Sequence, residues 1–316
     1  MSKLVIVDGH AIIHRAYHSI PPLTFNGQPV NGLYGFYSML LTAINTLDPK
    51  YLIVCLDSPG PNFRNHEFLG YRAKRKPADK ELVSQLPLLK STLEQAKIST
   101  FSMGGFEADD LIATITRKAL KKFKKDSQNH KSYIIDQVII ITGDKDLMQL
   151  VDKQVSLFVP VRGLSETKIF KPDDVQEKLG VLPTQVIDLK ALMGDMSDNY
   201  PGVAGIGPKA ANDLLSQYQN LNNIYQHLDE IKSSVKEKLE KDKDNAYLSQ
   251  KLATLINNIP LHFKLSSAKL NPVFYQNLTS LFKSFNFKSL VQRIEKQNPV
   301  KINKPDEIKS NQASLF

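Results

Sequence analysis

Three short apolar runs, each closed by an acid, constrain the fold more than any other feature: KLVIVDG at 3–9, YLIVCLD at 51–57 and QVIIITGD at 137–144. Apolar runs without polar alternation suit strands covered on both faces. Between them lie helical patterns: LYGFYSMLLTAINTL (33–47), ELVSQLPLLKSTLEQA (81–96, interrupted by Pro87) and DDLIATITRKALKKF (109–123). Strands alternating with helices predict βαβ units, so the expected class is α/β with a mainly parallel sheet. KISTF (97–101) reads as a further short strand, and DSQNHKSYI (126–134) as a polar surface insertion.

From about residue 172 the pattern becomes helical, and after about 297 it is polar, Lys- and Pro-containing and aperiodic. The expected division is an α/β catalytic domain at 1–171 with an arch at about 58–95, a helical subdomain at 172–297, and a C-terminal tail at 298–316. The longest apolar runs are too short to span a bilayer, and the N-terminus lacks a signal-peptide pattern, which predicts a cytoplasmic protein. The single cysteine, Cys55, sits in an apolar run and reads as a core residue. Neither the cysteine nor the seven histidines suggest a zinc site or a nucleophile.

The acids are different. Ligands of open parallel sheets bind beyond the carboxyl ends of the strands, where Asp8, Asp57 and Asp144 fall. Asp146 follows in GDKD. Glu107, Asp109 and Asp110 open a helix in FEADDLIATI, and Asp195 and Asp198 stand at a helix end in GDMSDN. A helix cap explains any one segment. Nine acids in five segments are harder to explain that way, because carboxylates that converge repel unless neutralised. Hard divalent cations with oxygen ligands are the natural remedy, and nine acids exceed what one Mg²⁺ needs. Two ions are the usual arrangement for phosphodiester chemistry.

The chain carries 41 Lys and Arg against 32 acids; with nine acids set aside, 23 remain, leaving 18 unbalanced positive charges. An acidic pit in a basic protein points to a nucleic-acid substrate. GYRAKRKPADK (70–80) adds Arg72, Lys74, Arg75 and Lys76, with Tyr71 as a stacking platform for a base, and Arg15 lies near Asp8 in sequence. RKALKKFKK (117–125) reads as a solvated basic helix face. In PGVAGIGPKAANDLL (201–215), Gly205 and Gly207 permit a tight turn, Pro208 suits a first helical position, and Lys209 stands beside the free amides. That pattern resembles a helix-hairpin-helix element, which grips DNA backbone without reading sequence.

Together, IVDGHAIIHRAY, CLDSPGPNFR, GYRAKR, GFEADDLIATI, ITGDKDLMQLV and GDMSDNYPGVAGIGPKAA resemble the 5′-nuclease domain of bacterial DNA polymerase I, in the flap endonuclease superfamily. The resemblance runs in order over roughly 3–290. It implies a PIN-like sheet and a Mg²⁺-dependent 5′-3′ exonuclease and 5′-flap endonuclease acting in replication and repair, on DNA and RNA primers. It also implies one Mg²⁺ held mainly by Asp8, Asp57, Glu107 and Asp109. A second would lie towards Asp144, Asp146, Asp195 and Asp198, with Asp109 and Asp110 supporting between them directly or through water. Mn²⁺ is an expected substitute, and K⁺ is expected at the hairpin near Val203 and Ile206. The family usually has Tyr-Lys where this chain has Tyr71-Arg72, which leaves the assisting cation as either Arg72 or Lys74. The chain closes on QASLF, with Gln312, Leu315 and Phe316 spaced as in sliding-clamp-binding peptides, which suggests a stand-alone nuclease tethered to the clamp. The competing expectations are a non-catalytic branched-DNA-binding factor and a PIN-type ribonuclease.

Overall fold

A computed structural model describes residues 2–121, 135–164 and 166–297. The 126–134 insertion and the Gln312, Leu315 and Phe316 motif lie outside the described residues.

The chain begins β1 (Lys3–Asp8), α1 (Gly9–Ser19), a small ribbon β2 (Thr24–Phe25) and β3 (Gln28–Pro29), α2 (Asn31–Leu47) and β4 (Tyr51–Cys55). It continues α3 (Phe63–Glu67), α4 (Lys80–Gln95), β5 (Ser99–Phe101), α5 (Ala108–Leu120), β6 (Gln137–Ile141), β7 (Val155–Arg162) and β8 (Glu166–Phe170). Helices follow: α6 (Pro172–Leu179), α7 (Val186–Met193), α8 (Pro208–Tyr218), α9 (Leu221–Gln226), α10 (Ser233–Lys241), α11 (Lys243–Ala253), α12 (Pro272–Ser284) and α13 (Lys288–Gln297).

The main sheet has the order β5-β4-β1-β6-β7-β8, parallel throughout except for β8, which runs antiparallel to β7. This is the α/β architecture that the apolar runs predict. Residues of β1 alternate between two cores. Leu4 and Ile6 face α5 and the C-terminal helices through α11, whereas Val5 and Val7 face α1, α2 and α4. Burial on both faces is why these strands read as continuous apolar runs. Cys55 is buried in the first core, as expected, and burial pushes its thiol well above its ordinary pKa.

Two features depart from the sequence reading. Helix α4 runs unbroken through Pro87. The proline is solvent-exposed, so water can satisfy the carbonyl one turn back that lacks an amide partner. The predicted 172–297 subdomain is also divided in its packing. Helices α7 and α8 join the core under α5, but α12 and α13 return to the opposite face, where Phe282 and Leu290 pack with α2. Arg293 fixes that return by donating to Ser38 Oγ at 2.8 Å and Thr42 Oγ1 at 2.9 Å.

Candidate active site

Parallel register carries the ends of β4, β1 and β6 to one edge, which brings Asp8, Asp57 and Asp144 together there. Asp8 caps α1, accepting from Ala11 N at 3.0 Å, and its other oxygen accepts from Thr142 Oγ1 at 2.8 Å. The next residue must be small. A Cβ on Gly9 would lie 2.4 Å from Leu56 Cδ2 and 3.0 Å from the Cys55 carbonyl oxygen. Asp57 accepts from Ala108 N at 2.7 Å, which seats the start of α5 on the same edge. Asp144 accepts from Asp146 N at 2.8 Å.

The three acids opening α5 have three different environments. Glu107 accepts from Asn62 Nδ2 at 2.7 Å, Arg72 at 2.6 Å and Arg64 at 3.2 Å. Burial nevertheless raises its pKa, with Arg72 and Arg64 opposing the rise. Asp109 is buried with no hydrogen bond or ion pair among the described residues, and its carboxyl lines the cavity. Burial, then the charges of Asp144, Asp8, Asp146 and Asp57, hold its pKa well above the ordinary range. Asp110 differs from its neighbour. Both its oxygens are gripped by Arg64, at 2.8 and 2.9 Å, and it also accepts from Ile256 N at 2.9 Å. Adjacent helical residues point about 100° apart, so Asp110 faces the interior behind the site rather than the cavity. That geometry takes Asp110 out of the direct ligand set expected from the sequence: it does not line the cavity, and its partner is a buried guanidinium.

Arg64 donates in addition to the carbonyls of Leu252 (2.8 Å) and Thr254 (3.2 Å), so it links α3, α5 and the end of α11. Tyr71 is likewise not the stacking platform that the sequence suggested. It is only 4% exposed, and its hydroxyl donates to Asp198 at 3.0 Å and lies 3.3 Å from Glu107 Oε2. Arg72 adopts a left-handed backbone (φ 55°) and bridges Glu107 and Asp198, reaching the latter at 2.9 Å. Lys74 is exposed and is not part of the cavity wall.

The remaining acids form a second group. Lys190 Nζ binds Asp146 and, at 2.7 Å, Asp195. Burial raises the Asp146 pKa to about 6 against the pull of Lys190. Burial also acts to raise Asp195, but Lys190, Ser197 and the Asp198 amide outweigh it and bring the pKa to about 2. For Asp8, burial prevails over its hydrogen bonds and places the pKa at about 7.

A cavity of about 750 Å³ opens at the first group, lined by Asp8, Asp57, Glu107, Asp109 and Asp144 together with Arg15, Arg72, Arg75 and Lys76, whereas Asp146, Asp195 and Asp198 are not part of its lining. Among the described residues, no three acidic, histidine or cysteine side chains close on one point as an assembled metal cage. The donor set still fits hard divalent cations. It is all oxygen, Asp109 is buried and unpaired, and Asp8 and Asp109 resist ionisation until a positive charge arrives.

Beyond Asp195 and Asp198 the chain forms the predicted hairpin. Asp195 and Tyr200 pair through both backbone bonds at 3.0 Å. Gly202 (φ 63°) approaches α7 so closely that a Cβ would meet Gly194 N at 2.1 Å. Gly205 (φ 77°) turns the chain, and Gly207 precedes α8 with Lys209 exposed at its first turn. Val203 and Ile206 are buried in the turn.

Comparison with known proteins matches the chain in two parts. The description "5′-3′ exonuclease, N-terminal resolvase-like domain" matches residues 3–180, and "5′-3′ exonuclease, C-terminal SAM fold" matches 181–276. The chain belongs to the 5′-3′ exonuclease family. Its relatives include a 5′-3′ exonuclease of Bacillus subtilis, 31% identical over 94% of this chain and 97% of the relative. DNA polymerase I of Caldicellulosiruptor bescii is 39% identical over 92% of the chain but 33% of its own length. The chain thus spans about a third of the polymerases it matches. Among solved structures, zinc-bound T5 5′-exonuclease aligns with TM-score 0.64 at 22% identity, covering 93% of this chain and all of that one. The catalytic core of Rad2 in complex with DNA aligns with TM-score 0.56 at 14% identity, over 94% and 92%. Both show the fold.

Membership makes this chain a nuclease and sharpens what the sequence reading missed in it. Lys190 and Arg64, the cations that hold the exonuclease's acids, were not singled out, since their partners lie far away in sequence or across a turn. His10, His14 and His18 were also missed, although HAIIHRAYH spaces them by four; all three line the cavity along α1. His10 Nδ1 accepts from Asp57 N at 3.0 Å. Arg15 lines the same cavity, with its Nε donating to Gly163 O at 3.0 Å. Among the described residues no helix is long and apolar enough to cross a membrane.

Proposed function

We propose that this nuclease is a divalent-metal-dependent, structure-specific 5′ nuclease that cleaves DNA at 5′ ends and 5′ flaps, including RNA primer junctions, during replication and repair in the cytoplasm. The observation that carries this reading is the unpaired, buried Asp109 in a cavity that guanidinium and ammonium groups also line. One ion would be held by Asp8, Asp57, Glu107 and Asp109, and a second by Asp144 with Asp146, Asp195 and Asp198. When bound, such ions supply Lewis acidity and charge neutralisation at a phosphodiester.

The protein's own groups do the rest. Arg15, Arg75 and Lys76 draw the phosphate backbone into the cavity, and Arg72 stands between both sets of acids as the cation nearest a scissile phosphate. Arg72 takes that role in preference to Lys74, which is exposed and not part of the cavity wall. The amides at the start of α8, with Lys209, grip the duplex backbone at a distance from the reaction, and K⁺ near Val203 and Ile206 would steady that turn. The terminal QASLF, through Gln312, Leu315 and Phe316, is proposed to tether the protein to a sliding clamp. Cleavage of a 5′-flap duplex should require Mg²⁺ and vanish in Asp144→Asn; binding without cleavage in both proteins would sink the proposal.

A further inference from the structure

Two side chains beside the acids are turned outward. Met196 is 97% exposed and Leu69 is 92% exposed, whereas no other large apolar residue among those described exceeds 48%. Isolated exposed apolar residues are ordinary. These two are set apart by their placement, because their turns are bonded to each other. Asn199 Nδ2 donates to Gly70 O at 2.6 Å, and Arg72 N donates to Asp198 O at 2.9 Å.

Each turn is also stiff. The Asp195 carboxylate accepts from Ser197 N at 2.7 Å and from Asp198 N at 3.2 Å, which closes the loop beneath Met196. Phe68 N donates to Arg64 O at 2.9 Å, and the Phe68 ring lies against Gly70. Their neighbours Phe68, Tyr71 and Tyr200 pack inward on Leu252. The inward apolar positions are therefore filled, and Leu69 and Met196 stand exposed on two joined turns, one leading into Arg72 and the other running from Asp195 to Asp198.

We propose that Leu69 and Met196 pack on the flat face of the terminal base pair beside the phosphate held at the acids, so that they register the substrate by base contact. This rests on the nuclease reading above. Arg72, Arg75 and Lys76, which follow Leu69 closely in the chain and line the cavity, favour a polyanion nearby, and the apolar part of a nucleic acid within reach of its backbone is the base face. Leu and Met are residue types that lie against or between base steps, and the Met thioether adapts to any base. The contact carries no charge, so it adds affinity without adding salt dependence.

The test uses the full chain with a duplex bearing 2-aminopurine at its terminal pair, in EDTA so that nothing is cleaved. Leu69→Ser and Met196→Ser, singly and together, are at exposed positions outside the acids. Wild type should change the 2-aminopurine fluorescence on binding; the double variant should lose that change and bind about tenfold more weakly with the same salt slope. A duplex with an abasic site at that position should erase the difference between the two proteins. Equal affinity and equal fluorescence in wild type and double variant would overturn the base contact while leaving the nuclease reading standing. A wild type that neither binds nor cleaves duplexes overturns both.

Discussion

Asp109 and Asp110 are adjacent and chemically identical, yet their replacement by asparagine should have opposite effects on stability. Asp110→Asn removes the carboxylate that Arg64 grips with two bonds, leaving a buried guanidinium with Glu107 at 3.2 Å as its remaining acid. Removing one partner of such a pair costs about 3–5 kcal/mol, a large share of a typical domain's stability. Asp109→Asn removes a carboxylate that has no cationic partner and is repelled by Asp144, Asp8, Asp146 and Asp57. Asp8 gives the scale of such a penalty: raising its pKa from 3.8 to about 7 corresponds to about 4 kcal/mol. Asp109→Asn should therefore stabilise the metal-free protein at pH 8. Mg²⁺ at a hundredfold over its dissociation constant should add about 2.7 kcal/mol to wild type and to Asp110→Asn, and far less to Asp109→Asn. Urea unfolding followed by circular dichroism, in EDTA and then in Mg²⁺, measures all of these quantities. The reasoning fails if both variants shift stability in the same direction in EDTA, or if Asp110→Asn alone abolishes the response to Mg²⁺.

The same carboxylates set a pH dependence. Asp8 and Asp146 have folded pKa values raised to about 7 and about 6, so their contribution is fully present below pH 3.8 and is lost as pH climbs through those values. The rise in melting temperature caused by a fixed free Mg²⁺ concentration should thus be larger at pH 8 than at pH 5.5; an equal rise at both would refute the assignment. Lys190→Met strands Asp146 beside Asp195 and should cost about 3 kcal/mol in EDTA, with Mn²⁺ restoring much of it in a thermal melt. In the hairpin, Gly205→Ala meets only the flexible end of Lys238 and should cost about 1–2 kcal/mol through its left-handed backbone. Gly202→Ala drives a Cβ into backbone and should abolish duplex binding; similar losses for the two variants in a binding titration would show that the close approach to α7 is unimportant.

The central sheet was legible because its strands are buried on both faces and so advertise themselves as apolar runs. Strands β7 and β8 were not legible, since Pro160 and Arg162 interrupt one and β8 is an exposed, polar edge. The positions of Asp8, Asp57 and Asp144 followed from parallel register alone. Asp110 and Tyr71 could not be placed that way. Whether an acid faces a cavity or a guanidinium depends on which side of a helix turn it occupies and on what packs behind it. Arg64 supplies that backing from a segment 46 residues away from Asp110, a pairing that no local pattern carries.

Arg64 and Asp110 also tie the carboxylate edge to residues 252–256, and the carbonyls that Arg64 reaches there lie 188 and 190 positions downstream of it. The order of synthesis then matters. Asp110 leaves the ribosome 146 residues before the Ile256 amide that it accepts from, a delay of about 7–30 s at about 5–20 residues per second. Throughout that interval the guanidinium lacks its downstream carbonyls, so a nascent hydrolase should stay disarmed near the nucleic acid from which it is being translated. Chains stalled on the ribosome just short of residue 252 should show no Mg²⁺-dependent cleavage, with cutting appearing once the 252–256 stretch has emerged.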